Sequence, residues 1–288
     1  MPDIRQPRDR TIRPPMRRPR ADESRAVSRL SFGQERVWFL DRLWRSGTIN
    51  NISLAHAVTG RLNSEALKRS CNELVRRHET LRTHIEVRDG EAVQVVEVPR
   101  PFQIRTEDLG GKSAEERTAD VERHIREEAT DPCDLTIAPL FRVRLLRLTA
   151  TERVLILTIH HIVADGWSIR VLMRELTTLY EAYEQERDSP LAALPVQYAD
   201  YAVWQRQWLQ GETLDRQLHY WTERLAGAPP VLELPADRPR PAARTHRTAS
   251  SRFMLSGELS ARLHQLARRE QATPFMVLLA AFQMVLAR

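Results

Sequence analysis

Residues 154–168 read VLILTIHHIVADGWS, an apolar run followed by two histidines, an aspartate and a glycine. A short continuous apolar run is typical of a strand that is buried on both faces. The apolar spacing from Ser168 onward predicts a helix, with Ser168 as a candidate N-cap. The histidines, the aspartate and the glycine are therefore expected in a strand-to-helix loop, where rigid elements position functional side chains.

Four interpretations of this loop stay open from the residues alone: packed or surface histidines, a metal site, nucleophilic catalysis and base-assisted acyl transfer. Successive side chains of an extended chain point to opposite sides, so His160 and His161 are poorly placed to bind one ion. The sequence has no HExxH motif and no cysteine pair to supply further ligands. It also has no GxSxG motif, which would mark a serine nucleophile. In the acyl-transfer interpretation, one histidine faces the reacting groups and Asp165 holds the loop.

Further strands and helices are predicted on both sides of the loop. Asp89-Gly90 is a hairpin turn signal, and Asn63 or Ser64 is a candidate N-cap for the helix that follows. The predicted strands cover residues 52–58, 80–87, 91–98, 141–148, 153–159 and 252–255. One predicted helix begins at residue 64, and the other predicted helices cover residues 114–128, 168–183, 198–225, 257–270 and 274–287. This mixture favours a layered α/β fold with helices covering a sheet. The absence of a glycine-rich phosphate loop argues against nucleotide binding.

Composition indicates a soluble globular protein of 288 residues, with 42% hydrophobic and 28% charged residues. Nearly all of the net charge of +6 comes from residues 1–29, which hold nine Arg and four acidic residues. We predict that this segment is a disordered arm, and we expect no nucleic-acid partner. The two cysteines, the lack of a signal peptide and the shortness of the longest apolar stretch, 275–287, predict a cytoplasmic protein that does not enter a membrane.

Four segments resemble motifs of the condensation domains of nonribosomal peptide synthetases. They are LSFGQERVWFL (30–40), RRHETLRTHIE (76–86), IHHIVADGWS (159–168) and YADYAVWQRQWL (198–209). The third contains the HHxxxDG motif without departure. The first has Gly33 where alanine is usual and Val37 where leucine is usual, and the second has Ile85 where phenylalanine is usual. The resemblance covers residues 30–288.

The resemblance implies an α/β, chloramphenicol-acetyltransferase-like layered sandwich with two lobes. Residues 30–190 are then a complete N-terminal lobe with the HHxxxDG loop, and 191–288 are a linker and a partial C-terminal lobe. Because family members continue through further motifs, including a strand that bridges the lobes, we expect the chain to be truncated and inactive alone.

The resemblance also implies roles for individual residues. His161 is expected to face the tunnel between the lobes as the catalytic residue, and Gly166 to leave room for substrate and offer a backbone N–H to an oxyanion. The expected structural support of the site consists of His160, Asp165, Arg82, Arg77 and Trp204. Within this group Asp165 is expected to pair with Arg82, or failing that with Arg77.

The implied reaction is amide formation between substrates on the phosphopantetheine arms of a donor and an acceptor peptidyl carrier protein. The implied neighbours are an adenylation domain or a synthetase module, and no directly bound cofactor or metal is expected. Two alternatives stay open: a non-catalytic remnant that docks carrier proteins, and an ester-forming acyltransferase of the same superfamily. The DGWS continuation disfavours an epimerisation domain, and the intact HHxxxDG motif disfavours a cyclisation domain.

Overall fold

The computed structural model describes residues 15–16, 25–44, 50–231, 234, 251 and 253–287. They belong to two compact units, which divide between Tyr220 and Trp221. The strands are β1 (Ala26–Arg29), β2 (Asn51–Thr59), β3 (Thr83–Arg88), β4 (Glu91–Val96), β5 (Ile104–Asp108), β6 (Phe141–Arg147) and β7 (Glu152–His160). The helices are α1 (Phe32–Trp44), α2 (Ser64–Arg77), α3 (Ala114–Thr130), α4 (Gly166–Glu184), α5 (Tyr198–Trp208), α6 (Glu212–Leu225), α7 (Gly257–Arg269) and α8 (Pro274–Leu286), with a 3-10 turn at Glu79–Arg82.

The larger sheet has the strand order β2-β7-β6-β5. Strand β7 pairs antiparallel with β2 and β6, and β5 pairs parallel with β6. The apolar run of β7 is buried on both faces, as its composition predicts. Leu155, Leu157 and Ile159 join the main core with residues of α2 and α4, whereas Val154 and Ile156 pack against residues of α3. Because both faces of β7 are buried, the strand is held in place up to His160, where the loop begins.

The smaller sheet has the strand order β1-β4-β3. The predicted hairpin is present, with Asp89 and Gly90 at φ of 51° and 81°, as a two-residue turn between antiparallel strands requires. Most of the arm predicted over residues 1–29 lies outside the described residues. For 26–29 the prediction of disorder was wrong: these residues form β1 and pair with β4. Their order comes from backbone pairing, which an apolar-periodicity argument does not detect.

Helix α2 carries the predicted buried stripe of Ala66, Leu67, Cys71, Leu74 and Val75. Of the two candidate N-caps, the structure selects Asn63. Its side-chain oxygen accepts hydrogen bonds from the backbone N–H groups of residues 65 and 66, at 3.1 and 3.0 Å. Helix α2 packs against α4, so this cap stabilises a helix that lies next to the loop.

Replacing Asn63 by alanine is expected to lower the free energy of unfolding by about 1 kcal/mol, because the two N–H groups lose their acceptor. Urea unfolding followed by circular dichroism measures the change. Ser64→Ala is the matched control, since Ser64 already lies inside the helix, where alanine is favoured. An equal loss in both variants would contradict the assignment of the cap.

Several predicted boundaries differ from the structure. The helix predicted over 198–225 is two helices, α5 and α6, because the chain turns at Gly211 with φ of 54°. Residues 253–255 are not a strand, and Arg252 lies outside the described residues. Helix α5 packs against α1 and β1 within the first unit, so that unit continues past the boundary predicted at 190/191. In the second unit, α7 packs against α8, which begins at Pro274 with Thr273 as its N-cap.

Candidate active site

His160 and His161 point in different directions at the end of β7. The side chain of His160 is fully buried, with 0% of its surface exposed. His161 is exposed to solvent and lines a cavity of about 500 Å³. The backbone N–H of His161 donates to the carbonyl of Asn50 at 2.7 Å, and the N–H of Val163 donates to the carbonyl of His160 at 3.0 Å. The loop is thus fixed through its backbone, and the His161 side chain remains available to a ligand in the cavity.

The two ring nitrogens of His160 face different groups of the protein. Its Nδ1 accepts a hydrogen bond from the backbone N–H of Ile162 at 3.1 Å, and its Nε2 lies 3.6 Å from Oδ1 of Asp41 on α1. Burial lowers the pKa of His160 below its usual value, and the nearby Asp41 carboxylate opposes this effect only in part. His160 is therefore neutral near pH 7 and supports the loop rather than facing the cavity.

Asp165 is the N-cap of α4 and pairs with no arginine among the described residues. Its Oδ1 accepts hydrogen bonds from the backbone N–H of Ser168 at 2.8 Å and from the hydroxyl of Ser168 at 2.6 Å. These bonds, that of the hydroxyl first, hold the pKa of Asp165 below its usual value. The predicted pairing with Arg82 or Arg77 was wrong, as was Ser168 as the cap. The first backbone N–H groups of a helix have no partner inside the helix and donate hydrogen bonds to a nearby carboxylate, so Asp165 does not require a distant cation.

Arg77 and Arg82 make other contacts near the cavity. Nε of Arg77 donates to Oε2 of the buried Glu175 on α4 at 3.0 Å, and Nε2 of His78 lies 2.7 Å from the same oxygen. Arg82 donates to the backbone carbonyl of Glu97, which follows β4. These residues therefore join α2 to α4 and the 3-10 turn to the hairpin. Only His78 of this group lines the cavity.

Replacing Asp165 by alanine is expected to lower the free energy of unfolding by about 1 kcal/mol, the usual cost of losing an N-cap. A buried ion pair would instead cost about 3–5 kcal/mol when broken. Because the pKa of Asp165 is lowered on folding, its contribution is present above the ordinary aspartate pKa of about 3.9 and is lost as the pH falls through the lower folded value. Urea unfolding at pH 7 and at pH 3 measures both effects. Asp165→Asn, which keeps a capping oxygen, is the control, and a loss as large as that for an ion pair would favour the pairing with an arginine instead.

Two other predicted residues lie outside the cavity lining. Gly166 is the first residue of α4, and a Cβ added there would meet no atom within 4 Å, so space alone does not require glycine. The cavity is lined instead by its neighbours Asp165 and Trp167. Trp204 lies on α5 and stacks on Trp208 with ring centroids 5.3 Å apart. Its place in an aromatic cluster agrees with a packing role.

All four motif segments contribute to the cavity or to its support. The loop and the start of α4 form one wall, α1 contributes Gln34 and Val37, and the second segment contributes His78 and Leu81. The start of the fourth segment contributes Tyr198. The four motif segments, which are separate in the sequence, therefore lie around one cavity in the structure.

Gln34 lies in the first motif segment but was not predicted as a residue of the site. Its backbone N–H donates to the hydroxyl of Ser31, and its side-chain oxygen accepts from the N–H of Ser31, at 3.1 and 3.0 Å. Its Nε2 donates to the carbonyl of Ile162 at 3.3 Å, and the Ser31 hydroxyl lies 2.9 Å from that of Tyr198. The S-x-x-Q spacing of Ser31 and Gln34 is the capping-box signal and would have predicted the start of α1.

Gln197 and Glu175 were also not predicted. The side chain of Gln197 accepts from the N–H of Glu79 at 3.2 Å and donates to the carbonyl of Arg77 at 2.9 Å. It lines the cavity and holds the segment that precedes α5 against the 3-10 turn. No local pattern marks Gln197 or Glu175, because their partners lie far away in the sequence.

Among the described residues, no group of three or more His, Cys, Asp or Glu side chains is arranged to hold a metal ion. Within the same residues, no helix combines the length and the apolar character needed to span a bilayer.

This chain is similar in sequence to known synthetases and in fold to solved structures. It is 49% identical over 259 residues to a linear gramicidin synthase of Brevibacillus parabrevis, a match that covers 90% of this chain and 5% of that protein. The X-domain from teicoplanin biosynthesis has a TM-score of 0.73 at 29% identity, over 88% of this chain and 56% of that one, and it has also been solved in a complex with OxyB. The starter condensation domain of rhizomide synthetase has a TM-score of 0.64 at 18% identity, over 71% of this chain and 49% of that one.

The chain therefore spans a small part of its curated relative and about half of each solved structure. The likeness in fold confirms the predicted α/β, chloramphenicol-acetyltransferase-like class. The model of the family described as "Condensation domain" matches residues 24–288. On this match, and with the HHxxxDG loop placed at a cavity by the end of β7, the chain belongs to the condensation domain family of nonribosomal peptide synthetases.

Proposed function

We propose that this chain provides the catalytic loop for amide formation between two carrier-bound substrates, the known role of its family. The observation that carries the proposal is the position of His161. It is an exposed imidazole on a loop held by backbone hydrogen bonds, and it lines a cavity large enough for the reacting groups. Gly166 does not itself line the cavity, but it lies between the lining residues Asp165 and Trp167, and we propose that its backbone N–H at the start of α4 donates to the negative charge that develops in the reaction, which the helix dipole also favours.

In the proposed reaction, the amine nitrogen of the acceptor attacks the carbonyl carbon of the donor thioester. A C–N bond forms, the C–S bond breaks, and the thiolate leaves with the electron pair. The ammonium proton passes to His161 and then to the thiolate. An α-amino group has a pKa of about 8, so roughly a tenth is neutral at pH 7 and a strong base is not required. Holding both substrates in attack geometry lowers the barrier by up to about 7–11 kcal/mol, and proton transfer to His161 contributes a further factor of about 10²–10⁴ in rate.

The proposed partners are a donor and an acceptor peptidyl carrier protein, with an adenylation domain or synthetase module adjacent, in the cytoplasm. Support comes from the family and from relatives named as synthetases. The substrates arrive on phosphopantetheine arms, so the proposed chemistry needs no cofactor bound directly to this chain. We also propose that residues 30–190 act as the N-terminal lobe and 191–288 as a linker and part of the second lobe, with the linker, including α5, packed on the N-terminal lobe within the first unit.

A second candidate function is that of a non-catalytic docking platform. It is favoured by one observation, the similarity to the X-domain from teicoplanin biosynthesis, which has been solved in a complex with OxyB. A platform needs a protein-binding surface and makes no use of an imidazole in a cavity. The two candidates therefore differ in whether His161 matters.

The test supplies donor and acceptor carrier proteins loaded with aminoacyl groups and follows the dipeptidyl product by mass spectrometry. The chain is assayed as it stands and also fused to the remaining C-terminal part of the corresponding domain of the gramicidin synthase relative. Product from either form supports condensation. A folded fusion that binds carrier proteins but forms no product favours the platform. Product only when a hydroxyacyl acceptor replaces the amine would indicate the ester-forming alternative.

A further inference from the structure

Asp41 and His160 face each other across the junction between α1 and the loop. The two side chains are 16% and 0% exposed, and Oδ1 of Asp41 lies 3.6 Å from Nε2 of His160. At this distance Nε2 has no hydrogen-bond partner within the described part of the chain, although the atom is buried. A buried ring nitrogen normally has a hydrogen-bond partner. The position of the Asp41 carboxylate opposite Nε2 of His160 therefore needs a physical reason.

The other ring nitrogen decides which tautomer is present. Nδ1 of His160 accepts from the backbone N–H of Ile162, so it cannot itself carry a proton. In the neutral ring the proton then lies on Nε2, on the side of Asp41. Exchange of the tautomer would place two N–H groups against each other at Ile162 and leave the Asp41 carboxylate facing a lone pair. The carboxylate and the loop backbone therefore favour the same tautomer.

Helix α1 contacts the loop at two points on one of its faces. Gln34 and Asp41 are seven residues apart, a spacing that places them on the same side of a helix. Gln34 donates to the carbonyl of Ile162, and Asp41 faces His160. Between these two points the chain passes through His161, whose side chain lines the cavity. The direction of His161 thus depends on how the flanking residues are held.

We propose that Asp41 is a positioning residue, which holds His160 in its Nε2-protonated tautomer and thereby keeps the loop in the conformation that directs His161 into the cavity. Asp41 does not touch the substrates and acts only through His160. The effect of Asp41 on catalysis rests on the proposed role of His161, but the tautomer of His160 can be tested without measuring catalysis.

The test is ¹⁵N nuclear magnetic resonance of the full chain, with His160 assigned through its backbone. We expect the wild-type protein to show one neutral tautomer protonated at Nε2 and slow exchange of the Ile162 amide. Asp41→Ala should populate both tautomers and speed the exchange of that amide by about tenfold, as the weakening of one hydrogen bond allows. Asp41→Asn keeps an acceptor oxygen and should largely preserve the wild-type tautomer.

Glu35→Ala is the matched control, because it removes an exposed carboxylate from the same helix and should change neither signal. A wild-type His160 protonated at Nδ1 would overturn the proposal, as would an Asp41→Ala variant with an unchanged tautomer and amide. If Asp41→Ala does not fold, Asp41→Leu, which fills a similar space without an acceptor oxygen, is measured for the same two signals and judged by the same outcomes. Where condensation is measured, Asp41→Ala should lower kcat by up to about 100-fold and leave KM little changed. A failure of condensation with the expected tautomer would count against the proposed function and not against the role of Asp41.

Discussion

Replacing His161 by alanine is expected to lower the rate of amide formation by about 10²- to 10⁴-fold, the range that a positioned general base contributes. The free energy of unfolding should change little, because the side chain is exposed and lies in a cavity. Single-turnover assays with loaded carrier proteins give the rate, and urea unfolding gives the stability. If both quantities fall together, the loss of activity reflects misfolding and not a missing group.

His56→Ala is the matched control, since His56 is exposed on β2 and does not line the cavity. It should leave the rate unchanged. His161→Gln separates two roles, because glutamine can hydrogen-bond to the amine but cannot accept its proton near neutral pH. A rate close to that of the wild type in His161→Gln would assign orientation to His161, and a rate as low as that of His161→Ala would assign proton transfer.

Replacing Glu128 by alanine is expected to cost about 3–5 kcal/mol of unfolding free energy, the range for breaking a buried ion pair. Glu128 is 2% exposed on α3 and bridges to β6. Its carboxylate accepts from Nε of Arg142 at 3.2 Å and lies 2.8 Å from Nη2 of Arg144. Both guanidinium groups are mostly buried, so the variant removes their shared buried counter-ion. Each then keeps one more exposed acidic partner, Asp131 at 3.3 Å for Arg142 and Glu107 at 3.7 Å for Arg144. Urea unfolding at pH 7 measures the loss.

Glu127→Ala is the control for this prediction, because Glu127 is the preceding residue of α3 and its side chain is 48% exposed, where it pairs with Arg123 and lies 3.1 Å from Nδ1 of His124. Solvent screens a surface pair, so its removal should change stability far less. Equal losses in the two variants would show that helix propensity, and not the buried ion pairs, causes the effect. The rate of condensation should follow stability in both variants, since α3 contributes no residue to the cavity lining.

Much of the first unit could be predicted because its signals are local. The apolar run of β7, the buried stripe of α2 and the turn at Asp89-Gly90 each depend on residues within a few positions of each other. The strand β5 was not predicted because its residues alternate weakly and it is ordered mainly by parallel pairing with β6. The start of α1 does carry a local signal, the S-x-x-Q capping box, although the predicted elements did not include this helix.

The sequence alone determined the family, the α/β class and the place of the HHxxxDG loop between a buried strand and a helix, because motifs and apolar periods are properties of neighbouring residues. Only the tertiary structure decided which side-chain partners meet. Asp165 accepts hydrogen bonds from Ser168, three residues further along the chain, rather than pairing with Arg82 or Arg77, and His160 faces Asp41. A carboxylate can accept from an arginine, a histidine or a helix N-terminus, so its partner depends on distance in space, which residue type alone does not record.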